Sequence, residues 1–170
     1  MATGPRARYD VYAVSHPTAM KLGTHWMIVV AQAGQSWRAG PSQVVTNTNS
    51  GHRALVAGIA AKPINMLGRL LGNANLIGEH FTIQLRSWEE HLHPSNGNVR
   101  AACSHAQIIA SNVCVSADDI FREMNLQLCN EAYGPGKTCK CIVTRTVKAF
   151  LSQGFKDASY CCLFFPDCPC

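Results

Sequence analysis

The hydrophobic pattern is clearest near the N-terminus and in the last third of the chain. Residues 24–32, THWMIVVAQ, put His25, Met27, Val29 and Ala31 on one face of a strand and Trp26, Ile28 and Val30 on the other. Both faces are largely apolar, which predicts a central strand covered on both sides. Residues 9–14 read as a shorter strand. Residues 35–38 read as an antiparallel partner across the turn at Ala33 and Gly34, ending at Gly40-Pro41. Residues 80–86, HFTIQLR, alternate well enough for a further strand. Residues 47–51 and 72–78 look like loops, residues 63–71 like a short helix, and residues 87–115 show no dependable period.

The C-terminal third predicts two helices. Ser116 opens a capping-box pattern with Asp119, before a helix to about residue 130. A Tyr-Gly-Pro-Gly turn follows at residues 133–136, and Thr138 caps a second helix running to about residue 153, with Gly154 as its stop. At about 100° per residue, Cys139, Ile142, Val143, Thr146, Val147, Phe150 and Leu151 share one apolar stripe, and Cys141 points to nearly the opposite side. The first turn of a core-facing helix therefore presents the Cys139 thiol inward. Unpaired N–H groups and the helix dipole favour an anion there and are expected to lower the thiol's pKa. A thiolate nucleophile also needs a group that manages protons, and His25, on the best-formed strand, is the candidate. The competing use of such a position is a buried cysteine acting as a small hydrophobe.

Composition narrows the class. A chain of 170 residues, 47% hydrophobic and 15% charged, is long and apolar enough to bury one core and is not disordered as a whole. The net charge of +5 comes from scattered basic residues, with no stripe interleaved with aromatics, so nucleic acid is not an expected partner. No apolar run approaches the roughly 20 residues that cross a bilayer. Residues 1–14 carry no apolar core of export-signal length. The nine cysteines, an odd number, are then expected as free thiols in a reducing, cytoplasmic setting.

Two motifs are weaker than they look. Gly136-Lys137-Thr138 before a helix suggests a phosphate loop, but the earlier glycine of that pattern is Glu131 here, and Pro135 removes a backbone donor. His91 and His93, with Cys103 and His105 nearby, suggest a metal set, but Pro94 and the loop-like context favour scattered histidines, so no metal is expected. The chain divides into a domain over residues 1–156 and a cysteine-rich apolar tail over residues 157–170. The tail holds Cys161-Cys162 and ends Cys168-Pro169-Cys170. That ending resembles the doubly prenylated ends of Rab GTPases, which makes Cys168 and Cys170 candidate lipid acceptors and the tail a candidate peripheral membrane contact. Acylation at Cys161-Cys162, a tail metal site and an apolar strand packed on the domain are the competing readings, the last favoured by the apolar run Leu163 to Phe165.

The order strand-histidine, then helix-cysteine, resembles the permuted papain-like cysteine hydrolases: the NlpC-like amidase relatives, the lecithin:retinol acyltransferase-like proteins and the PPPDE peptidases. His25-Trp26-Met27-Ile28-Val29-Val30 looks like the histidine strand of those families. Tyr133 to Val143, with Thr138-Cys139 at its centre, looks like their Tyr-x-x-x-x-Asn-Cys-x-x-Phe-Val motif. The segment around Trp37-Arg38-Ala39-Gly40-Pro41-Ser42 resembles a turn in bacterial relatives of the fold. Thr138 stands in place of the usual Asn, and Cys141 where His, Asn or Ser is common. The resemblance covers the two ends of a catalytic unit and leaves residues 43–115 unmatched.

It implies a papain-like α+β fold, a small antiparallel sheet with the nucleophile helix packed on it. It also implies a monomeric thiol hydrolase or acyltransferase without a cofactor. Cys139 would form an acyl-enzyme with a peptide, protein or lipid acyl substrate, His25 would act as base, and Gln35 is a candidate third group. A catalytically silent binding or scaffolding module on the same fold is the alternative.

Overall fold

In a computed structural model, residues 6–17, 24–34, 54–61, 81–98, 101, 104–130 and 139–156 are the ones described below. They form an α+β domain on one five-stranded antiparallel sheet. The strands are β1 (Tyr9–Pro17), β2 (Thr24–Gln32), β3 (Leu55–Ala61), β4 (Phe81–Ser87) and β5 (His105–Val113). Their spatial order is β4-β3-β2-β1-β5, so β2 is the central strand, as its two apolar faces require. The helices are α1 (Trp88–His91), α2 (Ala117–Asn130) and α3 (Cys139–Ala149).

The pleat of β2 divides the core in two. Trp26, Ile28 and Val30 join Ile120, Met124, Ile142, Val143 and Val147 under the two long helices. Met27, Val29 and Ala31 join Val14, Val56 and Trp88 on the opposite face. Helix α2 lies over β4, β3 and β2, and α3 packs against both β2 and α2. A helix with two neighbours buries more than one stripe. Cys141, expected on the outer side of α3, is accordingly only 2% exposed. Leu151, expected in the stripe, is 39% exposed, because α3 ends at Ala149 and a 3₁₀ turn over Leu151–Gln153 redirects the chain. Gly154, at φ 94°, supplies the left-handed stop.

Helix α2 starts where the capping pattern placed it. The Ser116 hydroxyl accepts from the Asp119 N–H at 3.2 Å, and the Asp119 carboxylate accepts from the Ser116 N–H at 2.9 Å. The Ser116 N–H and the Ser116 hydroxyl, which donates at 3.0 Å, stabilise the charged carboxylate and hold the Asp119 carboxyl below its usual pKa, the backbone N–H being the largest cause. Ser116→Ala removes one of them and is expected to cost about 1 kcal/mol. The midpoint of a urea unfolding curve, at unchanged slope, measures it.

Three strands depart from the expectations. Strand β1 continues past residue 14 to Pro17, pairing Ser15, His16 and Pro17 with Trp26, His25 and Thr24. Strand β3 falls in a stretch to which the sequence assigned no element, and β5 in one that showed no dependable period. The expected partner strand at residues 35–38, the short helix at 63–71, the loops at 47–51 and 72–78, the turn at 133–136 and the tail at 157–170 lie outside the described residues. Among the described residues, the neighbours of β2 are β1 and β3. No helix among them is long and apolar enough to cross a membrane.

Candidate functional site

Helix α3 begins at Cys139, and its first turn comes down on the start of β2. The backbone N–H of Trp26 points at the Cys139 sulfur, 3.4 Å away. The β2–β3 pairing begins only at Met27 and Gly58, so on its β3 side this part of the β2 backbone meets the helix start, while its other side stays paired with β1. Burial raises the thiol's pKa above its ordinary value. The N–H groups of Trp26, Lys140 and Cys139 itself, with the Lys140 ammonium, pull the other way but are outweighed. The lowered pKa expected from the helix dipole is thus reversed, because desolvation of the charged form exceeds what a helix end supplies.

His25 lies one residue from Trp26 and therefore on the other face of the sheet. A Cβ added to Gly58 would stand 3.2 Å from the Met27 Cβ and 3.7 Å from His25 Nε2, which fixes the imidazole on the Met27 side. The structure brings the Cys139 sulfur to the backbone beside His25, while the His25 ring lies against the opposite core. Gln35, Thr138, Cys168 and Cys170 lie outside the described residues.

What His25 meets instead is a second imidazole. The β1–β2 register sets His16 directly opposite it, and the two rings meet edge to face with centroids 5.3 Å apart. His16 meets a third: its Nε2 is 3.2 Å from Nε2 of His91, at the end of α1. His91 in turn stacks on Trp88, at 5.2 Å and 27°. Helix α1 is held there by a complete capping box between Ser87 and Glu90.

The tautomers follow from the outer contacts. The Pro17 carbonyl can only accept, so the His16 Nδ1–H donates to it at 3.0 Å. A neutral His16 then offers a lone pair at Nε2, and the His91 Nε2–H donates to it. This leaves His91 Nδ1 as an acceptor, facing the Asn98 amide at 3.5 Å. Each ring nitrogen of this pair has a role in one neutral relay running from Asn98 to Pro17.

All three rings are hard to protonate. Burial first, and His16 second, pushes His25 down to about 4. Burial, then His16, His25 and Arg86, pushes His91 down to about 3. His16 is lowered by burial, partly offset by its bond to Pro17.

Beside the relay lies a cavity of about 420 Å³, reached by His91, Asn98, Met27, Gly58, Gln84 and Arg86. The β3–β4 register places Gln84 opposite Gly58 and Arg86 opposite Val56, so all four residues belong to this face. Gly58 leaves the space a side chain would fill. The Gln84 Oε1 is buried and finds no hydrogen-bond partner among the described residues. Arg86 forms no ion pair among them.

The sequence pattern flagged His91 and His93 together, but α1 parts them. His91 is buried in the relay, whereas His93 is exposed and its ring accepts from the Ser95 N–H at 3.2 Å, capping the turn over Pro94–Asn96. Among the described residues, no three His, Cys, Asp or Glu side chains converge closely enough to hold a metal ion. His16 was missed because β1 was expected to end two residues earlier. Extending the strand by its period-two pattern through the Val14-Ser15-His16 step would have found it.

No family model matches this chain, and neither a curated protein nor a solved structure does. The fold and the site together define an α+β domain with a polar cavity, beside the histidine cluster and lined by His91, on the sheet face away from its long helices.

Proposed function

We propose that this domain acts as a ligand-binding module, of permuted papain-like layout, and not by turnover at Cys139. The observation that supports this is the side of the sheet taken by His25. The imidazole that a thiol hydrolase would use as its base lies against His16 and Gly58, and burial keeps it neutral down to about pH 4. A thiol whose pKa is raised by burial is a poor source of thiolate at neutral pH. The face that does offer unmet polar groups to a ligand is the one with Gln84 and Arg86.

Alkylation of the full chain with iodoacetamide at pH 6, followed by peptide mapping, tests the reading. Cys139 is expected to react no faster than the exposed Cys129, and His25→Ala is expected to leave its rate unchanged. Fast labelling at Cys139 that His25→Ala slows would overturn it.

One observation favours the thiol-hydrolase or acyltransferase reading: the N–H groups of Trp26 and Lys140 both turn toward the Cys139 sulfur. In that reading the thiolate attacks the carbonyl carbon of an amide, isopeptide or ester, and His25 passes a proton to the departing amine or alcohol. Water or an acceptor then releases the acyl group from sulfur. It requires the His25 ring to leave its place against His16 and reach the helix-bearing side of β2. The labelling experiment separates the two readings directly.

A further inference from the structure

We propose that the cavity beside the histidine relay binds a small monocarboxylate that also carries an N–H or O–H donor and a short apolar portion, of the kind found in an N-acylated amino acid. The inference deepens the binding-module reading and rests on it.

Three features of the walls define the ligand. The first is Arg86, a fixed cation whose planar fork suits a carboxylate through two parallel N–H···O bonds. It supplies one full positive charge. The other polar groups that line the space, His91, Asn98, Ser95 and Asn96, are uncharged or stay so at neutral pH. A single negative charge is matched by this wall, whereas a phosphate dianion would be left half compensated.

The second feature is the Gln84 Oε1, buried with an unused acceptor. A buried acceptor left unmet costs about 1–3 kcal/mol, so a ligand that donates to it removes an existing penalty. That calls for an N–H or O–H on the ligand, set apart from its carboxylate by about the separation of Gln84 and Arg86. These residues are two apart on one strand, so they share a face with one intervening side chain pointing away.

The third feature is apolar. Met27, Val56, Ile59 and Ala60 complete the lining, and Gly58 keeps the floor open. The volume of about 420 Å³ lies in the range of small-molecule sites.

Titration of the ¹⁵N-labelled full chain, followed by NMR, tests the proposal with three probes: N-acetylleucine, its neutral primary amide, and inorganic phosphate. N-acetylleucine is expected to move the Gly58, Gln84 and Asn98 signals saturably. Its amide and phosphate are expected to bind at least tenfold more weakly. Arg86→Gln is expected to weaken the carboxylate about thirtyfold, as loss of one partner of a desolvated charged pair does. Gln84→Leu is expected to raise the affinity of acetate relative to that of N-acetylleucine, because the unmet acceptor is gone. If Arg86→Gln does not fold, Arg86→Lys keeps the charge without the fork and should bind with intermediate affinity.

Equal affinity for acid and amide, or no loss in the Arg86 variants, overturns the carboxylate assignment. Phosphate moving the same signals while N-acetylleucine does not also overturns it, and leaves the binding-module reading standing. No saturable shift with any probe at millimolar concentration overturns the proposal and removes the module's site with it.

Discussion

Lowering the pH from 6.5 toward 4 is expected to strip several kcal/mol from the stability of this protein, before most carboxylates titrate. The cause is the relay of His16, His25 and His91. In the unfolded chain these rings take up protons near 6.5; in the fold His25 resists until about 4 and His91 until about 3. Between those limits the unfolded state holds more protons, so stability is complete above 6.5 and declines as the pH falls. Each ring that stays neutral in the fold contributes about 1.4 kcal/mol per pH unit to that decline.

Urea midpoints measured from pH 7 to 4.5 report the slope. His91→Phe, which keeps an aromatic ring on Trp88, should flatten it by about one ring's share. A stability that stays level between pH 6.5 and 5 would mean that the relay takes up protons without opening, and the tautomer chain from Asn98 to Pro17 would be wrong.

The same three rings show what the sequence could and could not reveal. Strand β2 was legible at its full length because the β-branched and apolar run from Trp26 to Ala31 leaves few alternatives, and its two apolar faces marked it as central. Helix α2 was legible from Ser116 and Asp119, which carry their own local reason for the start.

Strand β3, LVAGIAA, was not. A strand buried on both faces has no polar alternation, and its alanines and glycine are weak strand formers, Gly58 serving close packing against Met27. Strand β5 failed for another reason. Its pairing with β1 shifts register between Tyr9 and Tyr12, so Ile109 and Ala110 are buried in succession and the period of two is broken.

The site failed at a different level. Alternation along β2 correctly separated His25 from Trp26, but which face α3 would cover depends on contacts among Ile28, Ile142 and Val147 that no local pattern encodes. A histidine and a cysteine at suggestive positions were both legible; the sheet between them was not.

That separation predicts the largest single-residue effect. Trp26→Ala is expected to destabilise the protein by about 3–5 kcal/mol, because it empties the space between β2 and the two long helices. The substitution leaves the Trp26 backbone N–H, and so its contact with the Cys139 sulfur, in place. Its effect therefore reports packing and not the loss of that hydrogen bond.

His25→Ala, one position away on the opposite face, should cost much less at pH 7 and should gain on the parent as the pH falls, since one depressed imidazole is removed. Parallel urea denaturation of the two variants at pH 7 and pH 5 reads both effects. A Trp26→Ala loss within about 0.5 kcal/mol, the range of an exposed position, would place the helices on the other side of β2. His25 would then share a face with Cys139 after all, and the balance between binding module and thiol enzyme would tip to the enzyme.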